Sequence, residues 1–291
     1  MLNTHASTPI VFFGTSAFSV SVLETLASRG ITPSLIVTAP DKPQGRKLIL
    51  TPPPAKMWAD AHGVAVIQPS TLRAQRIAPE TLETLRSYAD GVFIVASYGL
   101  IIPKDILDIP QHKTLNIHPS LLPALRGPSP IQTAILQEKE TGVTIMRLDE
   151  EVDHGPIVAQ QKTPYTPWPP YYDELEHALA CAGANLLADI LPQWINGAIA
   201  EHEQDHMAAT YSKKISKEDG LISLDAPAEE NLRKIRALSR WPGAYFFADR
   251  RGTPIRVRIK SASLSGDTLF IERVVPEGKR EMDYRDFLNG L

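Results

Sequence analysis

Pro9-Ile-Val-Phe-Phe-Gly14, running straight into Thr15-Ser16-Ala17-Phe18, is the stretch that decides the fold. Its central residues, Ile10 to Phe13, are apolar without a break and are all β-branched or aromatic. So short and uniform a run predicts a strand buried on both faces, as in parallel sheets, rather than a helix with one wet side. Beyond it Val20, Val22, Leu23 and Leu26 form an amphipathic stretch ending near Arg29-Gly30, with Ser16 as N-cap and Gly30 just past the last turn. The pattern then repeats. Buried strands are expected at Ser34-Leu-Ile-Val-Thr38, Val64–Ile67, Gly91–Ser97 and Thr114–Ile117, with helices near Ala55–His62 and Pro79–Tyr88. Strands alternating with helices imply right-handed crossovers, so the expected fold is α/β, a doubly wound Rossmann-like parallel sheet. Gly142–Leu148 and Pro156–Gln161 add two strands, antiparallel near an edge. Tyr171–Ile195 reads as a long helix through Leu175, Leu179, Ala182, Leu186, Leu187, Ile190 and Leu191.

The texture changes after this helix. Residues 206–291 hold 16 of the 30 Lys and Arg but 12 of the 33 Asp and Glu, a net +4 against −7 for residues 1–205. Tyr245–Ala248, Ile255–Ala262 and Thr268–Val274 are short strand patterns, separated by turns at Arg250-Arg251-Gly252 and Ser265-Gly266-Asp267. The expected organisation is therefore a catalytic domain over 1–205 and a smaller C-terminal OB-like β-barrel over 206–291.

Composition excludes several classes. The 291 residues are 43% hydrophobic and 22% charged, ordinary for a globular chain and unlike a disordered or fibrous one. A net charge of −3 gives no global basic field, and a single cysteine, Cys181, supplies neither an internal disulfide nor a thiolate metal cluster. The opening MLNTHASTPI lacks a basic segment before a long apolar core, and no apolar run approaches the roughly 20 residues of a membrane span. A cytoplasmic protein without a membrane partner is expected. The first strand-to-helix turn carries one glycine, Gly14, where a dinucleotide fingerprint needs three, and no phosphate-cradling Gly-x-x-x-x-Gly-Lys occurs.

The densest polar segment is Asn116-Ile-His118-Pro-Ser120-Leu-Leu-Pro123, continuing to Arg126-Gly127. Side chains alternate along a strand, so Asn116 and His118 share a face at its carboxyl end, where open α/β sheets collect ligands. An amide beside an imidazole offers a donor for a developing oxyanion and a base near neutral pH. A second cluster, Asp149-Glu-Glu-Val-Asp153-His-Gly155, joins two strands and can reach the same end. One carboxylate of this segment is placed to orient His118 and hold its tautomer, as the third member of a triad does, and Asp153, two residues before Gly155, sits in what reads as a tight functional turn. The plainer reading of that segment is a solvated acidic turn in which Gly155 supplies positive φ. No serine sits in a nucleophile elbow, Cys181 falls inside a helix as a core residue, and no histidine spacing suggests a metal. Direct attack by a substrate amine on an acyl carbon fits better than covalent catalysis.

Asn116-Ile-His118-Pro-Ser120-Leu-Leu-Pro123 together with Val152-Asp153-His-Gly155 resembles the active-site signature of the 10-formyltetrahydrofolate-dependent formyltransferases. The likeness extends through Phe13-Gly-Thr15, Pro40-Asp-Lys-Pro-Gln-Gly-Arg46, Ala96-Ser-Tyr-Gly-Leu-Ile-Ile-Pro103, Arg126-Gly-Pro-Ser-Pro-Ile-Gln132 and Glu140-Thr-Gly-Val-Thr-Ile-Met146. It continues in Thr210-Tyr-Ser-Lys-Lys-Ile-Ser-Lys217, Ile235-Arg-Ala-Leu-Ser-Arg-Trp-Pro-Gly243 and Pro276-Glu-Gly-Lys279, so nearly the whole chain is similar to the members that act on methionyl-tRNA. The resemblance implies formyl transfer from 10-formyltetrahydrofolate, a co-substrate used without a metal, to the α-amino group of methionyl-initiator tRNA. It implies Asn116, His118 and Asp153 as catalytic, with Ser120, Leu121, Leu122 and Pro123 lining the folate pocket and the backbone of 96–101 nearby. It also implies that the loop Asp41–Leu50 meets the tRNA acceptor stem through Arg46, while the basic second domain supplies phosphate contacts. Within the same group, a glycinamide ribonucleotide formyltransferase would lack the second domain and a nucleotide-sugar N-formyltransferase would lack the Pro40–Leu50 loop. An RNA-binding module without catalysis is the alternative from another class.

Overall fold

The computed structural model describes residues 8–45, 48–73, 75–137 and 140–291, with Gln44 described in its backbone alone. Along the chain come β1 (Ile10–Gly14), α1 (Ala17–Ser28), β2 (Leu35–Val37), β3 (Lys42–Gln44), β4 (Ile49–Thr51), α2 (Pro54–His62), β5 (Ala65–Ile67) and α3 (Pro79–Arg86). Then follow β6 (Val92–Ala96), α4 (Lys104–Leu107), β7 (Thr114–His118), α5 (Pro130–Gln137), β8 (Gly142–Arg147), β9 (Ile157–Lys162) and α6 (Tyr172–Ile195). The remainder holds α7 (Ala228–Ala237), β10 (Tyr245–Arg250), β11 (Thr253–Ser265), β12 (Thr268–Pro276), β13 (Met282–Asp283) and α8 (Tyr284–Asn289).

The chain forms two compact units, each described by itself. The first comprises 1–126, 142–163 and 177–210. Its sheet has the order β5-β2-β1-β6-β7-β8-β9, with β5 to β7 parallel and β8 and β9 antiparallel. All five residues of β1, β6 and β7 are buried, which is why β1 and β6 read as unbroken apolar runs, while in β7 the polar Thr114, Asn116 and His118 alternate with Leu115 and Ile117. Val11, Phe13, Leu35, Val37, Phe93 and Val95 pack with Leu72, Leu85 and Ile106 on one face. Gly14 is required because a Cβ there would fall 2.7 Å from Ser19 Oγ. That hydroxyl accepts from the backbone N–H of Thr15 and Ser16 and donates to the Ala96 carbonyl. The turn is thus closed on itself by a side chain instead of being open to a phosphate.

The second unit comprises 127–141, 164–176 and 211–291. Its four-stranded antiparallel sheet runs β10-β11-β12-β13, and Phe246, Val257, Ile259, Ala262 and Val274 pack with Leu232 and Ile235 of α7 and Phe287 of α8. The division departs from the expected boundary after residue 205. Thr210 bonds the backbone of Pro123, Leu125 and Arg126, keeping 206–210 with the first unit, while α5 packs on α7 in the second. The structure adds three further particulars to the expected fold. Loop 41–50 contains a ribbon, β3 paired with β4. α6 is the one helix among the described residues long and apolar enough to cross a membrane, yet Leu175, Leu179, Ala180, Ala184 and Leu187 are core positions. Cys181 on that helix is half-buried instead of core, with His177 Nε2 at 3.6 Å and the Thr25 hydroxyl at 3.5 Å.

Candidate active site

β7 carries Asn116 and His118 two residues apart, so both project from one face of the sheet. His118 is 4% exposed and Asn116 8%, polar groups that with Thr114 alternate with the apolar Leu115 and Ile117. Leu115 and Ile117, on the opposite face, supply the burial that fixes the register. His118 Nε2 lies 3.1 Å from the Leu125 carbonyl. A carbonyl only accepts, so Nε2 carries the hydrogen and Nδ1 is the nitrogen left for chemistry. Nδ1 faces Asp153 Oδ1 at 3.5 Å. The tautomer is therefore held by a backbone carbonyl seven residues on, and not by the carboxylate as the sequence suggests.

Asp153 reaches His118 by an unexpected route. β8 is antiparallel to β7, pairing Thr144 with His118 and Arg147 with Leu115. The β8–β9 turn therefore begins beside the start of β7, where the Leu148 N–H donates to the Thr114 carbonyl, at the far end from His118. It doubles back across the sheet to bring Asp153 to the imidazole. The residue with positive φ is Asp153 itself, at 50°, and not Gly155. Gly155 is needed for space, since a Cβ there would fall 2.0 Å from the Arg147 carbonyl. His154 donates through Nδ1 to Asp149 at 2.7 Å and stacks on His206, ring centroids 4.0 Å apart.

The segment after β7 is pinned from below. Thr144, fully buried on β8, donates its hydroxyl to the Ser120 carbonyl and accepts from the Leu122 N–H. Gln160 on β9 donates to the Leu122 carbonyl and to Thr144. The Ser120 hydroxyl donates to the Ala124 carbonyl, Leu122 is buried, and Leu121 packs on Gly142. The Pro123 carbonyl accepts from Thr210. Ser120 to Pro123 thus form a fixed wall beside the Asn116–His118 face. Arg46 lies outside the described residues. Burial pushes the Tyr98 phenol, just past β6, well above its ordinary range. Among the described residues no cluster of His, Cys, Asp or Glu could hold a metal ion.

Sequence reasoning did not find the Leu125 carbonyl, Thr144, or the buried pair Arg126 and Gln204. The signals present were weak: a threonine in an apolar strand, and an arginine after a stiff proline-rich loop.

Against known proteins, residues 8–191 match the family model for formyl transferase, and residues 214–268 that for the formyl transferase C-terminal domain. The chain belongs to the formyl transferase family. Among its relatives in this family, methionyl-tRNA formyltransferase of Chloroflexus aggregans is 41% identical over 307 residues, covering 97% of each chain. The enzyme of the same name from Bacillus velezensis is 38% identical, covering 97% of this chain and 95% of its own. The formyl transferase fold is also that of the solved methionyl-tRNA formyltransferase from Clostridium thermocellum, with a TM-score of 0.60 at 16% identity over 92% of this chain and 98% of that one.

Proposed function

We propose that the chain transfers the formyl group of 10-formyltetrahydrofolate to the α-amino group of methionyl-initiator tRNA. One observation carries the reading: His118 Nδ1 meets Asp153 beside Asn116, in a formyl transferase whose relatives of nearly equal length are named for methionyl-tRNA. The attacking amine must be neutral, and a free α-amino group titrates near 7.7–8.0, so a base close to neutral is useful. As the amine nitrogen bonds to the formyl carbon, His118 takes the released proton at Nδ1, because Nε2–H is committed to Leu125. Asp153 stabilises the resulting imidazolium. Asn116 donates to the oxyanion of the tetrahedral intermediate. When the bond from that carbon to N10 breaks, His118 returns its proton to N10, so the transfer leaves no proton or electron unaccounted for. Ser120, Leu121, Leu122 and Pro123 line the folate pocket.

The acceptor would be held largely by charge. On β11, Val257 and Ile259 point into the core while Arg256, Arg258 and Lys260 alternate outward. Arg256 lies 3.7 Å over the Tyr245 ring and pairs across the strands with Phe247, which is exposed. Guanidinium, ammonium and aromatic groups on one open face suit a phosphate backbone and unstacked bases. Arg46 adds a contact at the acceptor stem, and the setting is the cytoplasm, where translation begins. The deciding assay offers radiolabelled formyl donor with charged initiator tRNA, free methionine or an amino nucleotide sugar. Transfer to the tRNA alone is expected; transfer to the sugar with none to tRNA overturns the reading.

A further inference from the structure

A turn that crosses a sheet face and ends in a left-handed aspartate does not hold itself in place. Such a backbone is strained and persists only where neighbours over-determine it. The neighbour here is Gln204. Its amide nitrogen donates to the carbonyls of Asp153, at 2.9 Å, and Gly155, at 2.7 Å, closing the turn from both sides of His154. Its amide oxygen accepts from Arg126 twice, from Nε at 3.1 Å and Nη2 at 2.7 Å. Arg126 only donates and the two backbone carbonyls only accept, so the orientation of the amide is fixed by its partners.

The arrangement is buried: Arg126 is 1% exposed and Gln204 5%. Arg126 Nη2 also donates to His206 Nδ1 at 2.9 Å. The stretch bearing Gln204 is tied to the sheet at its other end. Ile157 and His202 exchange backbone hydrogen bonds, and Arg147 donates from Nε and Nη2 to the two carboxylate oxygens of Glu201. A ring of contacts results. From the His118 imidazole it passes through the Leu125 carbonyl to the adjacent Arg126, across Gln204 to the backbone of Asp153, and through that carboxylate back to the imidazole.

We propose that Gln204, braced by Arg126, is the positioning residue that sets the Asp153 carboxylate against His118 Nδ1. The residue type follows from the two demands. Glutamate would still accept from Arg126 but would place an ionised carboxylate against two carbonyl oxygens, and an apolar residue would meet neither demand. The role rests on the reading of His118 and Asp153 as catalytic.

The test is a double-mutant cycle with Gln204→Glu and Asp153→Asn in the full chain, assayed well below the melting temperature. Gln204→Glu should lower kcat roughly 10- to 100-fold, as a small misplacement of a catalytic group does, with KM for both substrates within about twofold. In the Asp153→Asn background the same change should cost less than about threefold, because its route to the chemistry is already cut. An equal factor in both backgrounds overturns the proposal. If Gln204→Glu does not fold, Arg126→Lys, which keeps the charge but loses the paired donors, enters the same cycle with the same two outcomes. The ring-nitrogen resonances of His118 in the protein without substrates separate this idea from the assigned reaction. They should move in Gln204→Glu whether or not methionyl-tRNA is the acceptor, and unchanged resonances also overturn the proposal.

Discussion

The β7 face of the first unit and the outer β11 face of the second put charge to opposite uses. Around β7 the ionisable groups are few, largely withdrawn from solvent and each braced by a fixed partner: His118 by the Leu125 carbonyl, the Asp153 backbone by Gln204, and Arg126 by Gln204 and His206. On β11 the cations alternate outward, Arg258 and Lys260 exposed and Arg256 stacked on the Tyr245 ring. A reaction needs dipoles that are already in position when charge develops, which a dry, braced site supplies. A polyanion needs many cations that give up counterions on contact, for which fixed geometry matters less. Buried precision and exposed abundance therefore predict different sensitivities to mutation and to salt.

The sharpest break would come at β7. His118→Ala or Asp153→Asn should cut turnover about 10²- to 10⁴-fold, the range for loss of a general base or its partner. tRNA affinity by filter binding should stay within about twofold. A parallel loss of affinity would mean the two faces are not separable.

A smaller effect is expected at β11. Replacing Arg256, Arg258 and Lys260 together by Ala should weaken tRNA binding and lower the slope of log affinity against log salt by about one for each phosphate contact removed. Turnover at saturating tRNA should change little. A salt slope equal to that of the unaltered protein would exclude this face from the contact.

The smallest concerns the root of the β3–β4 ribbon. Asp41 accepts from Gln68 and Lys56, which hold its carboxyl below the ordinary range. A lowered folded-state pKa means the stabilisation is fully present above the unfolded value near 4 and is lost as pH falls through the folded value. Asp41→Asn should therefore lower the melting temperature modestly at pH 7, and the difference should fade on acidification below about 4. A difference that persists at low pH would assign the loss to packing instead of charge.

How much of this the chain discloses before folding follows the same contrast. The parallel core was legible because β1, β6 and β7 are buried on both faces, and β1 and β6 therefore carry unbroken apolar runs. The Asn116–His118 pair was legible because polar residues at period two stand out in such a strand. Positive charge on the C-terminal sheet could be read from counts alone. The α5 and α7 helices were not, since Pro130–Gln137 sits in a proline-rich context and half of Ala228–Ala237 is charged, burying only Asn231, Leu232, Ile235 and Ala237. Backbone groups leave no local trace of their partners. Nothing near Leu125 shows that its carbonyl holds an imidazole, and Gln204 is one glutamine among several polar residues.

The bracing of Arg126 by Gln204 spans 78 positions, and that of Asp153 by Gln204 spans 51. During synthesis the His118 imidazole and the Asp153 carboxylate are made before the amide that joins them, with all of β9 and α6 lying between Asp153 and Gln204 in the chain. A nascent chain ending near residue 200 can assemble the parallel core while its guanidinium stays in water. The brace on the Asp153 turn closes only when the last strip of the first unit docks.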